Sequence, residues 1–364
     1  MQQPIPSTMH AVLLTGHGGL DKLEYRTDVA TPAPKDGEVL IRVLAAAVNN
    51  TDVNTRIGWY SKSVTQDTAA SANGDFTRDA EDASWSGTPL KFPLIQGADC
   101  CGIIVNVGEG VDPARIGERV IVRNMLRGPV NGAPFACWTY GSECNGAFAQ
   151  YTVAPSVDTW PVRSDWSDIE LASIPCSYST SELLMQRAQV TGKDIVLITG
   201  ASGGVGSGAV QLAKCRGAKV IAITSEDKKQ DVLGLGADEV VIRGSDLVRT
   251  LGKESVTVVI DLVGGSDWSQ LLDVLVKGGR YAVSGAIGGP LVQLDLRTVY
   301  LKDLTLVGCT WQDDAVFQSL INYVESGKIK PLVSKVYPLS EIATAQETFL
   351  SKKYAGKIVL TPPK

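Results

Sequence analysis

The stretch Ile195 to Lys214, IVLITGASGGVGSGAVQLAK, constrains this chain most, because it sets a glycine cluster between an apolar run of strand length and an amphipathic helical pattern. Val196, Leu197 and Ile198 read as a buried parallel strand. Gly203, Gly204 and Gly206 let backbone N–H groups approach a ligand closely, and the helix from Val205 onward points the positive end of its dipole at the same spot. A second strand pattern, Lys219 to Ile223, follows at the distance one βαβ unit requires. A glycine cluster alone is only a tight turn against a helix. Strand, turn, helix and next strand together specify a cradle for a dinucleotide pyrophosphate.

The rest of the chain must supply the context for that unit, and 364 residues exceed one typical domain. Residues 10 to 48 carry short strand patterns, AVLLTG and EVLIRVLAAAV, and further ones follow at IIVNVGEG, ERVIVRN and AQYTVAP. They predict a compact, barrel-like β domain. From Ile169 to Val307 helix and strand patterns alternate, with strands VLIT, VIAIT, EVVI, TVVIDLV, YAVSGAI and LTLVG. That alternation predicts a six-strand doubly wound parallel sheet. After Asp313 an amphipathic helix, AVFQSLINYVESG, leads to short strands that include GKIVL and return to the first domain. The expected division is a β-rich domain over 1–162 and 313–364, with a dinucleotide-binding domain over 163–312 inserted into it.

Composition excludes several partners. The net charge is −5 and no Lys/Arg run exists, so neither nucleic acid nor an anionic membrane has an electrostatic footprint here. The N-terminus MQQPIPSTMHAV lacks a signal pattern and the apolar runs are strand-sized, which predicts a cytoplasmic protein. Seven cysteines are an odd and irregularly spaced set, better suited to free thiols in a reducing compartment than to disulfides. Cys100 and Cys101 read as small buried strand residues.

Assembled in this way, the chain resembles the medium-chain dehydrogenase/reductase superfamily, and within it the zinc-independent quinone oxidoreductase branch. The resemblance covers nearly the whole sequence and rests on GHGGLDKLEY, NNTDVNTRIGWY at Asn49 to Tyr60, GADCCG at Gly97 to Gly102, IGERV, ASGGVG at Ala201 to Gly206 and AGKIVL at Ala355 to Leu360. It implies a Rossmann domain inserted into a GroES-like catalytic domain. Ala201 stands at the first glycine of G-x-G-x-x-G, a form this branch uses. Zinc relatives carry a cysteine where this chain has Asn49 and a histidine where it has Ala98; only Cys176 matches a ligand position. His10 and His17 read as turn or surface residues, and of the structural zinc lobe only Cys137 and Cys144 remain. No metal is expected.

Without a metal, uncharged donors must stabilise the charge that arrives with hydride, which suits quinones and enones because they delocalise it onto a remote oxygen. The resemblance places Asn49, Asp52, Arg56, Gly58 and Tyr60 along the interdomain cleft. Asn49 and Tyr60 are the expected catalytic residues, and related 2-enoyl thioester reductases suggest proton donation from Tyr60. An aromatic pocket wall is the other reading of Tyr60. Asp52 and Arg56 read as a structural pair.

Cofactor choice turns on the second strand, which ends Ile223-Thr224-Ser225 with no acid at its tip. Lys228 matches the lysine this branch uses on the 2′-phosphate, Arg243 stands where its tyrosine is usual, and Lys352 falls near a basic C-terminal position. These cations favour NADPH, and Glu226 turned inward would restore NAD. The positions expected to hold the cofactor are Thr180, Ser202, Gly203, Gly204, Val205, Gly206, Ser225, Lys228, Arg243, Gly285, Ala286 and Lys352.

The polar segment Ser61 to Lys91 is longer than the link in resembling reductases. By composition it is a mobile surface loop; by position it is a lid with Phe76 and Trp85 over the substrate, or an arm onto a second subunit. The apolar strands near Tyr281 to Ile287 and Leu304 to Gly308 predict an edge that forms a homodimer. The sequence thus predicts an NADPH-dependent, zinc-independent reductase of quinones or α,β-unsaturated carbonyls acting on a small-molecule substrate. A 2-enoyl thioester reductase and a non-catalytic NADPH-binding protein are the alternatives.

Overall fold

The computed structural model describes residues 4–74, 81–136 and 138–364. The run around the glycine cluster forms the centre of a six-stranded sheet whose strands lie in the order Glu239–Ile242, Lys219–Thr224, Ile195–Ile198, Val256–Asp261, Leu275–Val283 and Thr305–Gly308. Every pairing is parallel, as in Val220 against Val196 and Val258 against Val196. Strands buried on both faces are apolar at successive positions, and Val196, Leu197 and Ile198 are fully buried. The crossover from Ile195–Ile198 begins the helix Gly204–Cys215. Gly206 allows that helix to approach the strand end, since a Cβ there would lie 2.2 Å from the carbonyl oxygen of Gly200. The chain therefore reverses at a topological switch point beside the glycine turn, where open α/β sheets form their ligand crevice.

The second body is a seven-stranded sheet, ordered Val333–Pro338, Lys357–Thr361, Glu38–Val48, Cys101–Val107, Arg119–Val122 and Thr159–Pro161, with Tyr151–Pro155 on the free side of Glu38–Val48. A three-stranded sheet, Leu23–Ala30, Thr8–Leu14 and Leu94–Ile95, closes over it. The C-terminal Lys357–Thr361 pairs antiparallel with Glu38–Val48, which makes the Rossmann domain an insertion in the GroES-like one. The return comes after the helix Asp314–Glu325, whose Val316, Phe317, Leu320, Ile321 and Val324 pack in the same core as Val196 and Ile198.

His17 is buried, not a surface turn residue: its Nδ1 donates to the Thr55 carbonyl at 2.9 Å and its ring meets Phe92 edge-on. Burial lowers its pKa. The six described cysteines are free thiols, with Cys100 and Cys101 fully buried; Cys137 lies outside the described residues. Among the described residues no helix is long and apolar enough to cross a membrane.

Candidate active site

The cleft between the two domains contains two cavities that meet at Asn50, Gly200, Gly203, Gly204, Ile287 and Phe349. The first, about 600 Å³, is a chamber walled by Trp59, Tyr60 and Trp85 and floored by Asn49, Cys176, Ser177 and Lys357. The second, about 490 Å³, is a groove over the C-terminal ends of the parallel strands.

The groove is built to receive an anion. Gly203 caps the Gly204–Cys215 helix without a side chain, so the first-turn N–H groups of Gly204, Val205 and Gly206 have no partner within the helix. At Gly204 a Cβ would meet Ser177 Oγ at 2.6 Å and Lys357 Cδ at 2.7 Å, so glycine is required for the chamber floor to sit under the helix start. Ser202, Ser225, Lys228, Arg243 and Lys352 line the groove. Thr180, Val205, Gly206, Gly285 and Ala286 line the chamber. Lys228 is buried and its Nζ donates to the Lys352 carbonyl. Burial lowers the Lys228 pKa and Arg243 pushes it the same way. Burial, followed by the charge of Lys228, brings Lys352 down to about 8. Like charges held this closely form a site that an anion relieves. Glu226 is exposed and does not line the groove, whereas Thr224 does, and its buried Oγ1 has no partner among the described residues.

The chamber floor is an interior network. Asn49 Nδ2 donates to Asp99 Oδ2 at 2.8 Å and to the Ala47 carbonyl at 3.3 Å, and its Oδ1 accepts from Lys357 and from Ser177. Lys357 Nζ also donates to Asp99 Oδ2 at 2.9 Å and to Ser177 Oγ at 3.0 Å, so all three ammonium protons have partners. Asp99 Oδ1 accepts from the Cys176 N–H at 2.7 Å. Asp99 and Lys357 are 0 and 2% exposed, and neither was picked out from the sequence. The GAD and AGKIVL motifs contain them, but their pairing across 258 residues was invisible without the fold.

Asp52 and Arg56 do not pair. Asp52 Oδ2 accepts the Asn49 N–H at 2.8 Å, and its Oδ1 accepts those of Gly97 and Ala98 at 3.2 Å. It therefore closes the first turn of the Asn50–Ile57 helix and holds the GAD loop against it. Burial pushes its carboxyl up to about 7, with the Asn49 N–H acting against the shift and Asp99 with it. Arg56 points the other way, to Gln346 Oε1 at 2.9 Å and the Gly18 carbonyl at 2.7 Å. Positions four apart share a helix face, so competing partners keep them from pairing: the carboxylate is taken up by three backbone N–H groups and the guanidinium by Gln346 and Gly18.

Tyr60 stands in the chamber wall with its hydroxyl beside Thr51, Asn54 and Trp85, polar groups that lower its pKa against a burial that raises it further. The rings of Trp59 and Trp85 meet it edge-on, with centroids 5.8 and 5.6 Å away. Trp85 belongs to the polar segment, which packs across the cleft in its described residues. Its helix Thr68–Asn73 starts with the Thr68 N–H donating to the Ile287 carbonyl of the Rossmann domain at 3.2 Å. Phe76 lies outside the described residues. Among those residues no group of three or more His, Cys, Asp or Glu converges on a metal position, and burial keeps the Cys176 thiol protonated by pushing its pKa up.

A glycine-cradled groove on a Rossmann sheet, opening into a chamber against a GroES-like domain, defines a nicotinamide-dependent oxidoreductase. Residues 35–164 match the alcohol dehydrogenase GroES-like domain and residues 204–326 the zinc-binding dehydrogenase domain. Acryloyl-coenzyme A reductase of Metallosphaera sedula is 30% identical over 97% of this chain and 100% of its own. Human quinone oxidoreductase is 28% identical over 97% of each chain. A crystal structure of a Sinorhizobium meliloti protein superposes with a TM-score of 0.88 at 45% identity, covering 99% of this chain and 98% of that one. The chain belongs to the medium-chain dehydrogenase/reductase superfamily.

Proposed function

We propose that this protein is an NADPH-dependent reductase of quinones or α,β-unsaturated carbonyls that works without zinc. The observation that carries the reading is the joining of a cation-lined groove to an aromatic chamber with the Tyr60 phenol in its wall. The groove fits the 2′-phosphate of NADPH through Lys228 and Arg243, the ribose through Thr224 and Ser225, and the pyrophosphate through Gly203 to Gly206. A bound nicotinamide supplies a hydride to the acceptor, whose conjugated oxygen then takes the negative charge.

Tyr60 answers that charge with a hydrogen bond or a proton, while the chamber walls exclude water and hold the acceptor. Asn49 has all its amide groups bonded within the floor, so we assign it to positioning: with Lys357 and Asp99 it fixes the floor on which the acceptor lies. Asn49, Ala98 and a protonated Cys176 are a poor donor set for zinc, which supports metal-free chemistry. The acryloyl-coenzyme A reductase relative favours a second reading in which the acceptor is an enoyl thioester, a change of substrate and not of chemistry. The free thiols suit the reducing cytoplasm.

The test is NADPH and NADH oxidation against a panel of quinones, enones, enoyl-coenzyme A esters and simple aldehydes, with and without a chelator. Chelator-resistant turnover of conjugated acceptors with NADPH is expected. Chelator-sensitive turnover with stoichiometric bound zinc, or NADPH binding without turnover of any acceptor, overturns the reading.

A further inference from the structure

We propose that Trp85, carried by the polar segment, is a positioning residue that sets the hydrogen-bond direction of Tyr60 through Thr51. The proposal rests on the reading of Tyr60 as the donor to the acceptor.

The indole N–H of Trp85 donates to Thr51 Oγ1 at 2.9 Å, and its ring lies edge-on to Tyr60 at 64°. The Thr51 hydroxyl is buried and carries one proton. With the indole N–H arriving at its oxygen, Thr51 keeps its own proton for the Tyr60 oxygen beside it. The Asn54 amide also stands beside the phenol and favours its ionised form, while its buried Oδ1 has no partner among the described residues. A chain running from Trp85 to Thr51 to Tyr60 then donates at every link, and the last proton faces the chamber. It also stabilises the phenolate left after proton donation, in surroundings where burial otherwise holds the phenol far from ionisation.

The segment is anchored so that the indole stays in register. The Ser86 N–H donates to Glu143 Oε1 at 2.8 Å, Ser84 Oγ donates to the Thr88 carbonyl at 2.7 Å, and the Lys62 N–H donates to Asp82 Oδ2 at 3.0 Å. Trp59 Nε1 reaches the Gln66 carbonyl at 3.0 Å, which ties the start of the segment to the turn that carries Tyr60, just past the helix that carries Thr51. The insertion is therefore part of the acceptor site and not a surface ornament.

Trp85→Phe keeps an aromatic ring and removes the N–H; Thr51→Val removes the relay with little change of shape. Each is expected to lower kcat for an enone by about tenfold or more, with the double variant no slower than the worse single one, as coupled positions behave. NADPH affinity should stay near wild type, which also shows that the variants fold, and quinone turnover should fall less than enone turnover. A second readout needs no turnover: para-nitrophenol bound to the NADP⁺-saturated protein at fixed pH reports its ionised fraction by absorbance. Trp85→Phe, Thr51→Val and Tyr60→Phe should each lower that fraction.

If Tyr60→Phe lowers enone turnover and the phenolate fraction while Trp85→Phe and Thr51→Val leave both within about twofold of wild type, the proposal fails and the assignment of Tyr60 stands. If Tyr60→Phe changes neither, Tyr60 is a wall and both fall.

Discussion

Lys228 and Lys352 line the same groove, and the proposed function gives each a different test. Lys228 is fixed at the end of the Lys219–Thr224 strand with Arg243 beside it, so Lys228→Ala should weaken NADPH by about 1.5 to 3 kcal/mol and leave NADH nearly unchanged, as titration by fluorescence would show. Equal losses for both cofactors would remove Lys228 from the phosphate. Lys352 sits at about 8 because it is buried beside another cation. An anion favours its charged form and raises that pKa on binding, so affinity holds below about pH 8, falls as pH rises through the free-protein value, and levels off above the bound one. Kd for NADPH measured from pH 6 to 10 should show this, and Lys352→Arg should flatten the profile. Lys228 and Arg243 were legible because the strand before them ends without an acid. Thr224, Asp99 and Lys357 were not: each is an unremarkable letter in a strand or loop, and its role comes from what the fold brings opposite it.

At the scale of elements, the glycine turn was legible and the polar segment was not. The turn has a strand and a helix in phase on either side, so its geometry follows from local pattern alone. Gly206→Ala puts a methyl group against the backbone oxygen of Gly200, which no rotamer can relieve, and it should lower both dinucleotide affinity and melting temperature; Gly203→Ala, whose Cβ finds ordinary contact at 3.4 Å, should be far milder. The helix Thr68–Asn73, TAASAN, has no apolar stripe, so only its cap could betray it: Asp67 Oδ1 accepts the Ala70 N–H at 2.8 Å. Asp67, Thr68 and Ala69 line the dinucleotide groove while Ser84 and Trp85 line the chamber. Replacing Thr65 to Ser86 with a short Gly/Ser bridge should therefore raise KM for the acceptor and also speed NADPH release in stopped flow. A change in acceptor KM alone would confine the segment to the chamber.

At the scale of the whole molecule, the six-stranded parallel sheet has one edge guarded by charge and one that is apolar. At the Glu239–Ile242 edge, Glu239 and Lys219 lie 3.8 Å apart in water, and charge on an edge strand discourages pairing with another chain. At the opposite edge the Thr305–Gly308 strand presents Leu306, 38% exposed, and the neighbouring helix Leu296–Leu301 adds Leu296, Tyr300 and Leu301, each more than half exposed. Leu291, earlier in the chain, is 70% exposed. Exposed apolar side chains on and after an edge strand fit a second copy of the chain, with the two edge strands joined across a two-fold axis. We propose a homodimer on this edge. Light scattering should give twice the chain mass for the wild type, and Leu306→Lys combined with Leu301→Glu should give a monomer, because a charge at each position must be desolvated to pair. The monomer should lose thermal stability. A wild type that stays monomeric at high concentration, or a double variant that stays dimeric, would place the contact elsewhere or remove it.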